Sequence, residues 1–105
     1  MTKIALYTTV EKTDSEEFIK KLTNACEKVG IPYIVDKSWE QVMVLFGYGL
    51  AVFNIEKYFR NGEPFLDITI VPISTKATLS SIIMDIQKLL KEMGMDYKNL
   101  GFIMQ

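Results

Sequence analysis

The chain has 105 residues, 49% hydrophobic and 24% charged, with 12 basic against 13 acidic side chains and a net charge of -1. Such a composition is that of a globular protein rather than a disordered one, and the length makes a single domain, residues 1–105, that can bury a core without disulfides or metals. The balanced charge leaves no global positive field for nucleic acid or anionic lipid, and neither is expected as a partner.

In chain order, Lys3 to Val10 is rich in β-branched and aromatic residues and predicts a central strand. A helix is expected from Thr13 or Asp14, with Glu16 and Glu17 as favourable first-turn charges. Phe18, Leu22, Ala25, Cys26 and Val29 fall on one stripe of it, Gly30 ends it, and Ile31-Pro32 carries the chain to a short strand at Tyr33 to Lys37. Phe65 to Ile73 predicts a further strand whose Pro72 suits an end or an edge. Thr75 or Thr78 is expected to cap a second helix, whose stripe runs through Leu79, Ile82, Ile83, Ile86, Leu89, Leu90 and Met93 to Gly94. A last strand is expected at Leu100 to Met104.

Residues 4–31 and 68–95 are two ungapped copies of one strand-to-helix pattern, offset by 64 positions. Ile4 matches Ile68, Leu6 matches Ile70, Leu22 matches Ile86, Ala25-Cys26 matches Leu89-Leu90, and Val29-Gly30-Ile31 matches Met93-Gly94-Met95. Any two amphipathic strand-helix units share apolar spacing, but the equal length and the matching glycine set this pair apart. Two β-α-β units on one sheet, each crossing over right-handed, place both helices on one face and the two leading strands side by side in the centre. The expected fold is therefore α+β, a ferredoxin-like βαβ-βαβ sandwich with pseudo-two-fold symmetry.

Ser38 to Pro64 departs from the minimal sandwich, which needs only a short hairpin between the Tyr33 and Phe65 strands. Val42 to Phe46 and Leu50 to Ile55 are as apolar as core strands, and Arg60-Asn61-Gly62-Glu63 is a hairpin signal. An inserted hairpin or extra strands, at about 41–46 and 51–59 with the second pairing onto Phe65–Ile73, is the preferred reading. A helix over Trp39 to Arg60 is the alternative. Gly47-Tyr48-Gly49 predicts a tight turn between strands.

The chain has no histidine, which removes the commonest general base and metal ligand. No acidic calcium loop appears, and no metal or cofactor is expected. The one cysteine, Cys26, sits at an apolar helical position and predicts a small core residue. A lone cysteine forms no internal disulfide, and no signal peptide or apolar run of about 20 residues is visible, so the cytoplasm is the expected location. Soft-metal chaperones of this architecture carry Cys-x-x-Cys after the first strand, where this chain has Val10-Glu11-Lys12-Thr13. The RNA-recognition form needs aromatics on both central strands, and here Tyr7 faces only Thr69, Val71 and Ile73. Acylphosphatase-type chemistry needs an arginine in an anion-cradling loop, and Arg60 is the only arginine. Glu16 and Glu17 read as helix-start charges, and Asp36, Glu40 and Asp67 as isolated surface groups, so no catalytic residue is expected.

If Ile4, Leu6, Ile68 and Ile70 face the helices, then Ala5, Tyr7, Thr9, Thr69, Val71 and Ile73 form the other face, which is apolar enough to want a cover. The expected function is a small homo-oligomeric interaction or regulatory module without catalytic activity, most simply a two-fold dimer. Tyr7, Trp39, Tyr48, Tyr58, Phe59, Val71 and Ile73 are its candidate contact residues; for Trp39, Tyr48, Tyr58 and Phe59 core packing is the alternative, and for Trp39 it is the favoured role. A second reading is a sensor of a nucleotide-like small molecule, bound in clefts between subunits. Signal-transduction proteins of the PII type resemble this layout in carrying a long functional loop at the same point; their loop motifs are not found here, so the resemblance transfers no residues. A third is an enzyme of the dimeric α+β barrel type.

Overall fold

The computed structural model describes residues 4–74, 78–95 and 101–104, with the first and last strands described through their backbone alone. In chain order the elements are β1 (Ile4–Glu11), α1 (Ser15–Val29), β2 (Tyr33–Asp36), β3 (Gln41–Phe46), β4 (Gly49–Arg60), β5 (Glu63–Ile73), α2 (Leu79–Glu92) and β6 (Gly101–Met104). The strands form one six-stranded sheet in the order β2-β3-β4-β5-β1-β6, with every neighbouring pair antiparallel.

Local chemistry accounts for the element ends. Asp14 caps α1 by accepting from the Glu17 N–H at 2.7 Å. Gly30 ends α1 at φ 76° and Gly94 follows α2 at φ 77°, a conformation that suits glycine. Thr78 holds the N-cap position of α2 but makes no capping bond to the helix, a correction to its expected role; Thr75 lies outside the described residues. Asn61 and Gly62, at φ 53° and 78°, turn β4 into β5 as a tight two-residue hairpin requires.

The repeat is visible in the backbone. Both helices begin at equivalent positions, Ser15 and Leu79. Leu6 and Ile70, also equivalent, are direct register partners of the central β1-β5 pair, so the local two-fold axis passes through that pair. β6 lies beside β1, and the same symmetry would put β2 beside β5. That is where the expected topology changes. Residues 38–64 build β3 and β4 into the sheet, β4 takes the place next to β5, and β2 stands at the edge. The order thus differs from that of a bare βαβ-βαβ sandwich, and the helical alternative for Trp39–Arg60 is set aside.

The core lies between the helices and one sheet face. Phe18, Leu22, Ala25 and Cys26 of α1, and Ile86, Leu89 and Leu90 of α2, close over Val42, Val44, Ala51, Phe53, Ile55, Leu66, Ile68 and Ile70. Alternation along the strands selects these residues, since every second side chain faces the helices. Val29 was expected on the buried stripe, but it stands 49% exposed at the last turn of α1. Pro72 pairs with Ala51 near the end of β5, beyond the Leu6–Ile70 end of the β1 register, where its missing N–H breaks no ladder with β1.

Candidate functional site

The sheet face turned away from the helices is laid out in rows by the strand register. Ile34, Met43, Val52 and Val71 make one row across β2, β3, β4 and β5, and Leu45, Leu50 and Ile73 make the next. Ile34 and Ile73 are about half exposed, at 51% and 52%, while Met43, Leu45, Leu50, Val52 and Val71 shield one another and are half-buried. This band contains no charge. A polar row follows, Asp36, Gln41, Asn54 and Thr69, in register with position 7 of β1; the Gln41 amide donates to Asn54 Oδ1 at 2.5 Å. Beyond Glu56 and Asp67, Tyr58 and Phe65 stack with ring centroids 5.4 Å apart. The Arg60 guanidinium covers both rings, 5.9 Å and 5.4 Å from their centroids. That cover explains why Phe65 is buried on a face that no helix protects.

Six strands at ~4.8 Å spacing and ~7 residues of ~3.4 Å each give this face roughly 700 Å². That approaches the ~800 Å² that each partner contributes to a standard protein interface.

The seven candidate contact residues do not form one surface. Tyr58, Val71 and Ile73 share the helix-free face, and Tyr7 is in register with Thr69 on it, though the side chain of Tyr7 is outside the described set. Phe59 belongs to the opposite side of β4, which runs past the helix layer: Phe53 and Ile55 are buried beneath it, whereas Phe59 is 75% exposed. Trp39 is not a core residue. Asp36 accepts from the Ser38 and Trp39 N–H groups at 3.1 and 3.3 Å, and the turn so formed leaves the indole 74% exposed. Tyr48 sits in the β3–β4 turn at the other end of the sheet, stacked with Phe46 at 6.4 Å and 16°.

Glu40, expected as an isolated surface group, ties three elements together. Its Oε1 accepts from Ser15 Oγ at 3.1 Å and lies 2.9 Å from Lys57 Nζ, while its carbonyl accepts from the Ile55 N–H at 3.1 Å. The hydrogen bond to Glu40 raises the Lys57 pKa, which marks a structural ion pair at the start of α1. The sequence carried no signal for it, because the partners lie far apart along the chain. Cys26 is fully buried, and desolvation, with Glu27 nearby, pushes its thiol up to about 11, so it is no nucleophile at neutral pH. Among the described residues no group of acidic or cysteine side chains could hold a metal ion, and no helix is long and apolar enough to cross a membrane.

On the helix side, a groove of about 430 Å³ opens between the Val29–Pro32 end of α1, the Leu45–Tyr48 turn and the Asp85–Glu92 face of α2. Its polar groups are few. Glu92 is engaged by Lys28 at 2.5 Å, an interaction that raises the Lys28 pKa. Asp85 is half-buried with no ion-pair partner among the described residues, and Lys88 is exposed. Compared with known proteins, the chain matches no family model and no curated sequence.

Proposed function

We propose that the chain is a small homo-oligomeric interaction module, without catalytic activity, whose contact surface is the helix-free face of the sheet. The observation that carries this reading is the charge-free band formed by Ile34, Met43, Leu45, Leu50, Val52, Val71 and Ile73. An apolar band on a sheet face of this size is the mark of a partner surface. A second copy is the occupant that suits it, since two such bands meet without bringing like charges together. Tyr58 and Arg60 add the residue types that anchor interfaces.

The fold is read as a ferredoxin-like βαβ-βαβ sandwich elaborated by the β3–β4 hairpin. The Leu6–Ile70 dyad and the β6-β1-β5 order support that reading, and the inserted hairpin supplies Met43, Leu45, Leu50 and Val52 of the band. The module thus gains its contact surface from the residues that depart from the bare sandwich.

Light scattering on the purified chain at micromolar concentration tests the proposal. The expected mass is twice that of the 12.0 kDa chain. Joint substitution Val52→Glu and Val71→Glu puts carboxylates into the contact and is expected to raise the dimer dissociation constant at least 100-fold, roughly 3 kcal/mol or more. A wild-type monomer at these concentrations sinks the reading.

A further inference from the structure

We infer that the groove between the end of α1, the β3–β4 turn and α2 is a binding site for a small aromatic ammonium, an arylalkylamine in its protonated form. The site lies within one chain and shares Leu45 with the proposed dimer surface. Its volume, about 430 Å³, falls in the range of small-molecule pockets. Phe46 and Tyr48, stacked at 6.4 Å and 16°, offer an aromatic shelf along one wall, and Val29 and Ile31 line the groove with aliphatic surface. Gly47 lies between the two aromatics, and a Cβ added there would meet no atom within 4 Å, so a ring can approach the backbone closely.

The charge of the ligand follows from the charges around it. α1 terminates in this groove, bringing the partial negative charge of a helix C-terminus. Asp85 holds a short, half-buried carboxylate with no ion-pair partner among the described residues. Glu92 is engaged by Lys28. Lys88 is the only cation lining the groove among the described residues, and its exposed, flexible chain can carry the ammonium into water. The faces of Phe46 and Tyr48 also attract a cation. A phosphate would find one mobile lysine and no helix N-terminus, so a nucleotide is the wrong class of ligand for this groove.

Titration of the isotopically labelled chain with 2-phenylethylammonium, 2-phenylethanol and 3-phenylpropionate, followed by amide chemical shifts, tests the assignment. The ammonium is expected to bind most tightly and to shift the Gly30, Gly47 and Tyr48 amides. Asp85→Asn is expected to weaken the ammonium about 10-fold and leave the alcohol unchanged. Tyr48→Ala is expected to weaken both, and Lys88→Gln to weaken neither. The assignment is overturned if the carboxylate binds as tightly as the ammonium, if Asp85→Asn changes nothing, if the shifts map away from the groove, or if no ligand saturates.

Discussion

Replacing Gly49 by alanine adds one methyl group at the point where β4, β5 and α2 converge. A Cβ there would lie 2.7 Å from the Ile73 carbonyl oxygen, 3.0 Å from Ile82 Cδ1 and 3.1 Å from Ser74 Cβ. The isoleucine methyl can give way, but the carbonyl belongs to the backbone of β5 and moves only with the strand. Overpacking of this kind costs roughly 1–3 kcal/mol. Because the closest contact is a backbone oxygen, the upper part of that range, about 2–3 kcal/mol, applies, and loss of glycine's freedom in the unfolded chain offsets about 0.4–1 kcal/mol of it, leaving about 1–2.6 kcal/mol of destabilisation. For a domain of this size the melting temperature should fall by roughly 5–15 °C. Gly47→Ala is the matched control, because nothing lies within 4 Å of its added Cβ and Gly47 is not among the glycines with positive φ. It should be neutral, or stabilising by up to about 1 kcal/mol. Urea unfolding of both variants, followed by circular dichroism, measures the difference. If Gly49→Ala is as stable as Gly47→Ala, the close approach of β4 to β5 and α2 is wrong.

Asp14→Ala removes the capping carboxylate of α1 and should destabilise the chain by about 0.5–2 kcal/mol in the same assay, whereas a change below the fitting error would deny the cap its role. Iodoacetamide at pH 8 should modify Cys26 at least ~100-fold more slowly in the native chain than in urea; comparable rates would place the thiol at the surface. The folded-state pKa of Cys26 is raised from 9.0 to about 11, so its contribution to stability is complete below pH 9 and lost as pH rises through 11. The urea midpoint should therefore fall more steeply over that window in the native chain than in Cys26→Ala, and parallel slopes would contradict the burial. Glu40→Gln should release the β2–β3 turn from Ser15 and Lys57, seen as faster amide exchange at Ile55, while unchanged exchange would make the ion pair incidental.

Much of the fold was legible because it depends on local rules. Asp14 and Gly30 announce the ends of α1 by capping chemistry, and Phe18, Leu22, Ala25 and Cys26 announce its buried face by spacing. The inserted residues declared themselves as strands through Val42–Phe46 and Asn61-Gly62. What alternation conveys is which face a residue takes, not which strand lies next to it. The displacement of β2 to the edge by β4 was therefore not readable, although the β4–β5 pairing was.

The candidate surface was legible in the same measure. Val71, Ile73 and Tyr58 follow from alternation along their strands, but Ile34, Met43, Leu45, Leu50 and Val52 join them only through the register of β2, β3 and β4. Trp39 escaped because size and apolarity argue for burial, while an Asp36 side chain three residues earlier turns the backbone outward. Phe59 escaped because β4 outruns the helices that cover Phe53 and Ile55. Nothing in the sequence sets Asp85 and Lys88 apart, and only the tertiary fold brings them to a groove with the Leu45–Tyr48 turn.

The claim that the helix-free face is where copies of this chain meet is tested most directly by methyl NMR with a soluble paramagnetic agent. Spectra are compared at concentrations above and below dissociation. The methyls of Val52, Val71 and Ile73 should be shielded from the agent in the concentrated sample and become accessible on dilution, while Met84, 56% exposed on α2, stays accessible throughout. Shielding that is absent from the band, or that appears at Met84 instead, would contradict the account.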